Sequence, residues 1–408
     1  MLESFRVTIL GSAFVLVAAA CGGSSTSGGT ANTSYAGKTI NLGAVVSLSG
    51  GGGVYGPQQK NGIELAVDTV NKNGINGAKI SVDVQDDKSD KQQSAQVVQT
   101  FIQTGKVFGL IGPTLTNSAV ASHPVAQNLH TPILSTSTTA KHIVGDCPYP
   151  GGCNYIFRDS LGEATAIPDN VKAAVNKLHP KSAVLFFAND DKFSSDGAEI
   201  FKQAFKDNGI AIPDGNVLQF SKAESDFKSY VTTAKSKSAD FWAISSLGGI
   251  PAKIMIEARN QGYTGPFLGG NGLNTYQVSQ QAGEQGKGAQ SGSAYFVGFN
   301  DPTNKAFVDA YKARFKDPAG NPQLPDQIAA QAYTAVLIYA EAAKNANLSF
   351  TDLAKDRDSL RAAMEKVNVA SPLGQFSFTS QHDVRQKVWI NAFDGKGGFV
   401  NLTSFETN

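Results

Sequence analysis

Apolar positions along the chain follow two alternating rhythms. Short continuous runs rich in Val, Ile, Leu and Phe predict buried strands, and stretches with apolar residues three and four apart predict helices packed on them. The run at 39–46 is a strand. A helix opens at Pro57, whose fixed φ suits a first turn, buries Ile63, Ala66, Val67 and Val70 on one face, and stops at Asn73-Gly74. The pattern continues with a strand at 79–84, a helix at 91–104 with Val98, Phe101 and Ile102 inward, and a strand at 107–111. A helix at 117–129 kinked at Pro124 and a strand at 132–135 complete the first series.

A second series begins with a strand at 183–188. A helix near 196–208 follows and stops at Gly209, then a short strand at 217–220 and a helix starting at Asp226 with Ser225 as its cap. Strands at 241–245 and 266–269 flank a helix from about 250 to 261. Helices at 304–315, 326–344 and 352–367 and two closing strands at 375–378 and 387–393 finish the chain. Alternation of this length implies parallel sheets covered by helices on both faces: an α/β fold of two doubly wound parallel-sheet lobes, with breaks near 159–161 and 288–292. In such sheets ligands bind beyond the carboxyl ends of the strands, so the loops after strands are the ones to inspect.

Four of these loops carry candidate chemistry. Residues 47–55 hold four consecutive glycines and end in Tyr55, which offers a flat face; without Gly-Lys-Ser/Thr this is no phosphate loop. Residues 112–118 bring Thr116 and Ser118 to a helix N-terminus, where hydroxyls and free N–H groups suit a carboxylate. Residues 135–139 are five hydroxyl residues in a row, including Ser137 and Thr139, where one helix cap needs one. Phe193, after the 183–188 strand, either walls a cleft or covers the top of the core.

Composition narrows the class. At 408 residues the chain suits two lobes, and a formal net charge of +1 without a Lys/Arg cluster gives no footprint for nucleic acid. Residues 1–20 read as a signal peptide, with an apolar run at 7–20 too short to span a bilayer, which takes about 20 apolar residues. The run ends in Ala18-Ala19-Ala20-Cys21, a small-residue segment before a cysteine that resembles a bacterial lipobox, with Ala18 where Leu is usual. Cys21 is then the lipidation site, and the Gly/Ser/Thr-rich segment at 21–37 a flexible tether. Cys147 and Cys153, separated by two prolines and two glycines, are expected to form a local disulfide, since an exported chain sits where disulfides persist. A metal site is the alternative, but a cysteine pair alone is a poor one.

The loops in this order resemble the type I periplasmic binding proteins of the branched-chain amino acid (Leu/Ile/Val) class. The motifs are the opening Ile-Asn-Leu-Gly-Ala-Val-Val-Ser-Leu-Ser-Gly, the Tyr-Gly before the first helix, Asn-Gly-Ile-Glu-Leu-Ala-Val-Asp, Asp86-Asp87-Lys88-Ser89-Asp90, Gly-Leu-Ile-Gly-Pro and Thr-Pro-Ile-Leu-Ser-Thr-Ser. The resemblance runs from about residue 38 to the C-terminal strands. It implies two lobes joined by a three-crossover hinge, 38–160 with 291–372 and 161–290 with 373–408, closing over a small solute. It also implies an ABC permease and ATPase as partners, a lipid-anchored monomer on the outer face of the membrane, and no cofactor, metal or catalysis. Carried over residue by residue, Thr116, Ser118, Ser137 and Thr139 match the carboxylate seat, Glu163 an ammonium partner, and Tyr55 and Phe193 aromatic walls. Where many amino-acid binders place a second acidic residue, this chain has Asn271, which points to an amide, a urea-like compound or an aromatic carboxylate as readily as to an amino acid.

Other classes have less behind them. None of His123, His130, His142, His179 and His382 stands in a nucleophile or metal motif, and Gly-x-Ser-x-Gly and His-Glu-x-x-His are absent. Asp86, Asp87 and Asp90 read as a strand-end turn and a helix cap, and His123 and His130 as surface or packing residues. The stronger rival is a ligand-sensing receptor component of the same fold that feeds a membrane signalling partner.

Overall fold

The computed structural model describes residues 34–406; the expected signal peptide and the lipidation of Cys21 lie outside the described residues. The first half is wound as expected through its fourth strand, β1 (Thr39–Val46), α1 (Gly56–Asn73), β2 (Lys79–Asp86), α2 (Lys91–Gln103), β3 (Gly109–Ile111), α3 (Thr116–Asn128) and β4 (Ile133–Ser135), and adds β5 (Ile156–Arg158), a strand the sequence did not announce. All five strands are parallel, in the order β2-β1-β3-β4-β5. Asp90 caps α2, its carboxylate accepting from Gln92 N and Gln93 N.

The second series is α4 (Glu163–Leu178), β6 (Ala183–Ala188), α5 (Lys192–Asp207), β7 (Val217–Phe220), α6 (Lys228–Ser236), β8 (Phe241–Ser245), α7 (Ile250–Asn260), β9 (Phe267–Gly269), α8 (Tyr276–Ala282) and β10 (Gln290–Ser293). Then come α9 (Pro302–Arg314), α10 (Gln327–Asn345), α11 (Leu353–Met364), the hairpin β11 (Asn368–Ser371) and β12 (Gly374–Ser377), and finally β13 (Val388–Phe393) and β14 (Phe399–Phe405). The second sheet runs β14-β13-β10-β9-β8-β6-β7. It is mixed and not wholly parallel as expected, because β13 joins β10 antiparallel and β14 returns antiparallel on β13.

Five departures from the sequence pattern have physical reasons. β10 is Gln-Ser-Gly-Ser, with no apolar residue to announce it, yet it is buried; α4 crosses so close that a Cβ at Gly292 would lie 2.5 Å from Ala166 O. α4 itself starts where a break was expected. α5 begins at Lys192, four residues early, because Asp191 accepts from Ser194 N at 2.9 Å. Ser225 caps nothing: α6 begins at Lys228, where buried Phe227 packs edge-on against Phe220 and Asp226 accepts from Lys228 N. Tyr35, inside the expected tether, is buried; its ring meets Phe350 edge-on, and its hydroxyl donates to Ala346 O and accepts from Leu348 N. The ordered fold therefore begins before residue 38.

Each sheet has an apolar core on both faces. Phe307, Tyr311, the inner face of α10, Leu360, Met364 and Phe376 pack with β1, β3 and α1. The chain thus passes between the sheets three times: after β5, after β10, and between β12 and β13. Since β10 pairs in the second sheet and Phe376 of β12 packs under the first, the later two passages fall a few residues beyond 291 and 372. The expected disulfide joins Cys147 to Cys153, with Cα atoms 6.2 Å apart.

Two passages are tied together at Arg158, the last residue of β5. Its guanidinium grips Asp383 through two bonds, Nε to Oδ1 at 2.7 Å and Nη2 to Oδ2 at 2.5 Å, and donates to Ala140 O. His382 accepts from Arg158 N through its carbonyl and stacks on Phe157 with ring centres 4.0 Å apart. Removing one partner of a largely buried, two-pronged pair costs more than losing a surface bridge. With Asp383 partly exposed, Arg158→Met is expected to destabilise the fold by about 2 kcal/mol. Urea titration reads this as a lower midpoint at constant slope, and an unchanged midpoint refutes it.

Candidate functional site

The carboxyl ends of six parallel strands, three from each sheet, deliver their loops to one place. Tyr55 follows β1, Thr114 to Thr116 follow β3, and Ser137 and Thr139 follow β4; Phe193 follows β6, Leu247 follows β8, and Asn271 and Gly272 follow β9. With Gln327 and Ile328 from the first turn of α10 they line one cavity between the loops of the two sheets.

One side of the cavity is built from hydroxyls and a helix start. Thr116 is the first residue of α3, and the N-cap residue Leu115 has no side-chain oxygen for the first-turn N–H groups. The Thr139 hydroxyl lines the cavity, is 2% exposed, and has no hydrogen-bond partner among the described residues. Most of the other hydroxyls are structural. Gln59 of α1, fully buried, donates through Nε2 to Thr136 Oγ1 at 2.7 Å and Ser137 Oγ at 3.1 Å, and accepts from Thr114 Oγ1. Ser137 donates to Thr114 O at 2.7 Å, and Thr114 Oγ1 accepts from Ser47 N at 2.8 Å. Gln59 therefore locks the two hydroxyl loops together. Ser118 is buried in α3 and does not line the cavity. His123, expected at the surface or in packing, is buried, with Nε2 2.8 Å from Ser135 Oγ.

The opposite walls are apolar. Phe193 sits in the first turn of α5, and Leu115, Leu247 and Ile328 fill between it and Tyr55. Tyr55 also works at its edge: its hydroxyl donates to Gly272 O at 3.1 Å and accepts from Gly248 N at 3.0 Å, so one phenol from the first sheet bonds two loops of the second. Burial pushes that phenol above its ordinary pKa. Nearby, Asn117 donates to Asp191 Oδ2 at 2.9 Å and accepts from Lys192 N at 3.1 Å, a second tie across the cleft.

Asn271 is a junction. Its Nδ2 donates to Leu161 O at 3.0 Å, and its Oδ1 accepts from Gln327 Nε2 at 3.0 Å and Asn274 Nδ2 at 3.3 Å. Its backbone N–H donates to Glu163 Oε1 at 2.8 Å. The amide that the sequence suggested for a solute is thus already engaged by the protein. Glu163, the first residue of α4, is fully buried behind this junction and does not line the cavity; a Cβ at Gly270 would lie 2.5 Å from its Oε1. Burial raises its carboxyl from 4.5 to about 8. The structure therefore gathers Tyr55, Thr116, Ser137, Thr139, Phe193 and Asn271 around one cavity and leaves Ser118 and Glu163 behind it.

Sequence reasoning passed over Gln59, Leu247, Gln327 and Ile328. Leu247 follows a recognised strand and was open to the same rule as the other loops. Gln327 follows the helix cap Asp326, but nothing local says that this helix points back into the cleft. Gln59 reads as a surface residue of an amphipathic helix.

Comparison with known proteins came from three directions. The profile of a family described as periplasmic binding protein matches residues 39–398. A leucine-, isoleucine-, valine-, threonine- and alanine-binding protein of Pseudomonas aeruginosa is 23% identical over 360 residues, 88% of this chain and 90% of that one. A branched-chain amino acid transporter substrate-binding protein of Streptococcus pneumoniae, solved with isoleucine, superposes with a TM-score of 0.79 at 26% identity, covering 91% of this chain and 99% of the other. An ABC-transporter solute-binding protein of R. palustris, solved with benzoate, gives a TM-score of 0.79 at 23% identity over 90% and 97% of the two chains.

The buried groups give a testable pH dependence. With its pKa raised from 4.5 to about 8, Glu163 holds its proton more tightly folded than unfolded, so its contribution is most favourable below pH 4.5 and is lost as pH rises to 8. His123 has the opposite sign: lowered from 6.5 to about 3 by burial, its contribution is fully present above pH 6.5 and is lost as pH falls toward 3. Between pH 6.5 and 8 stability is expected to fall with rising pH, by up to about 1.4 kcal/mol per unit from Glu163. Buried Asp159 is raised too and adds with the same sign. Urea titrations across this window should show a shallower fall in Glu163→Gln; equal slopes contradict the assignment.

Proposed function

The chain belongs to the periplasmic binding protein family, and on that premise we propose that it captures a small carboxylate-bearing solute outside the cytoplasm and passes it to an ABC permease and its ATPase. The observation that carries this reading is the convergence of six strand-end loops, three from each sheet, on one cavity. The cavity joins an uncapped helix start and a partnerless Thr139 hydroxyl to aromatic and aliphatic walls. The first-turn N–H groups of α3, with the hydroxyls of Thr116 and Thr139, seat the carboxylate. Ser137 and Gln59 hold that seat in place, and Tyr55 and Phe193 pack the body of the solute. Neighbours of this fold hold isoleucine in one case and benzoate in another, which keeps both amino acids and aromatic acids in view.

The two lobes close by bending at the three passages between sheets, and Tyr55 and Asn117 form ties that exist only when the cleft is shut. Acylation of Cys21 tethers the protein, as a monomer, to the outer face of the membrane. Feeding a permease fits the relatives of this chain, a transporter's substrate-binding protein among them.

Titration calorimetry of the full mature protein against branched and aromatic amino acids, the corresponding acids without the amine, amides and ureas tests this. At least one is expected to bind with one-to-one stoichiometry. Thr116→Ala and Thr139→Ala are each expected to weaken it about tenfold, the worth of a hydrogen bond to a charged group. Binding left unchanged by both substitutions moves the carboxylate elsewhere.

A further inference from the structure

We propose that the solute is a monocarboxylate with a branched or aromatic apolar body and no ammonium group. This deepens the proposed solute-binding function and rests on it. The cavity is lined by no Asp, Glu, Lys, Arg or His. A single negative charge is nevertheless provided for, because the positive end of the 13-residue α3 meets the cavity uncapped by any side chain. An independent sign that a ligand group belongs there is Thr139, 2% exposed, facing the cavity with its hydroxyl unpartnered among the described residues.

Nothing equivalent receives a positive charge. An ammonium carries three donors and needs acceptors around it, an anion among them, to leave water. Asn271 stands at the wall where an acidic side chain would serve, and its Oδ1 already accepts from Gln327 and Asn274. Glu163 lies behind Asn271, with Oε1 accepting from the Asn271 N–H and Oε2 without a partner among the described residues, and it does not line the cavity. Two backbone carbonyls at the rim each accept one bond already: Gly272 O from Tyr55, and Thr114 O from Ser137. An α-amino acid closed into this space would bury its ammonium with no anionic side chain in the lining to pair it, a cost that the same molecule without its amine avoids. The asymmetry also works against amides and ureas, whose donors would compete for carbonyls and an amide that the protein has already used.

Matched pairs that differ only at the amine test this: 4-methylpentanoate against leucine, and 3-phenylpropanoate against phenylalanine, titrated calorimetrically into the full mature protein. In at least one pair the deaminated acid is expected to bind about a hundredfold or more tightly than the amino acid, the range for an unpaired buried charge. Equal affinities, or a preference for the amino acid, overturn the inference while leaving the solute-binding function standing. Binding of neither member of either pair also overturns it, and only failure of the whole solute panel overturns the function beneath it. In Asn271→Asp, which places a carboxyl at the wall, the preference for the deaminated acid should shrink at least about tenfold. If it is unchanged, the missing acidic side chain is not what discriminates. The wild-type pairs decide the matter even if that variant does not fold.

Discussion

Parallel strands joined by helical crossovers deliver every outgoing loop to the same edge of a sheet, and the cleft of this protein depends on that constraint. Each strand from β1 to β9 that contributes to the cavity does so with the residues just past its carboxyl end, so winding alone gathers residues as far apart in sequence as Tyr55 and Asn271. Two such edges must also face each other, which the chain arranges by crossing between sheets three times. The crossings bring α10 of the first core against the second sheet's loops, where Gln327 bonds Asn271, Ser293 and Ala294. Functional residues therefore sit just past strand ends on rigid supports, and most of their positions follow from strand order.

Within that frame, polar satisfaction decides which side chains remain free for a ligand. Of the five hydroxyls at 135–139, Ser135, Thr136 and Ser137 are spent on His123, Gln59 and Thr114, while the side chains of Thr138 and Thr139 are left over. The same accounting uses up the Asn271 amide on Leu161, Gln327 and Asn274. Buried polar groups are costly unless paired, so an unpartnered hydroxyl on the cavity wall, as at Thr139, has a hydrogen bond to gain from a ligand. Charge follows the same logic. Glu163 is kept behind glycine and asparagine, where burial favours its protonated form, and the cavity itself is left without a formal charge.

Much of this was legible in the sequence, and the rest was hidden for identifiable reasons. Long apolar runs such as β1, β6 and β8 show the strand signal because both faces are buried, and their limits were read correctly. β10 was invisible because close packing against α4 demands small residues, which look like a loop. β14 was missed because one face of an edge strand is exposed, with Val400 and Leu402 outward, behind a glycine-rich turn. Within the site, loops after recognised strands could be ranked by chemistry, which picked out Thr116, Thr139, Tyr55 and Phe193. Sequence could not say which hydroxyls were already engaged, nor that Glu163 would end up behind Asn271, since both depend on partners on other elements of the fold.

Closure and selection are one event in such an arrangement. The direct ties across the cleft are few: the Tyr55 hydroxyl to Gly248 and Gly272, Asn117 to Asp191 and Lys192, and Thr275 Oγ1 to Val54 O at 3.4 Å. At about 1 kcal/mol net for each hydrogen bond, they offset only part of the entropy lost when two lobes are fixed together. Moving such an equilibrium from mostly open to mostly shut takes about 5.5 kcal/mol of differential affinity, and only contacts made in the shut form supply it. A solute that reaches the start of α3 on one sheet and Phe193 and Leu247 on the other supplies them from both sides. One that lacks the carboxylate leaves the α3 side unanswered. One that carries a charge without a partner adds its desolvation cost at the same moment. The uncharged, mostly spent wall around Asn271 therefore acts as a filter on closing, and the residues that look least chemical in the cleft set what the protein will hold.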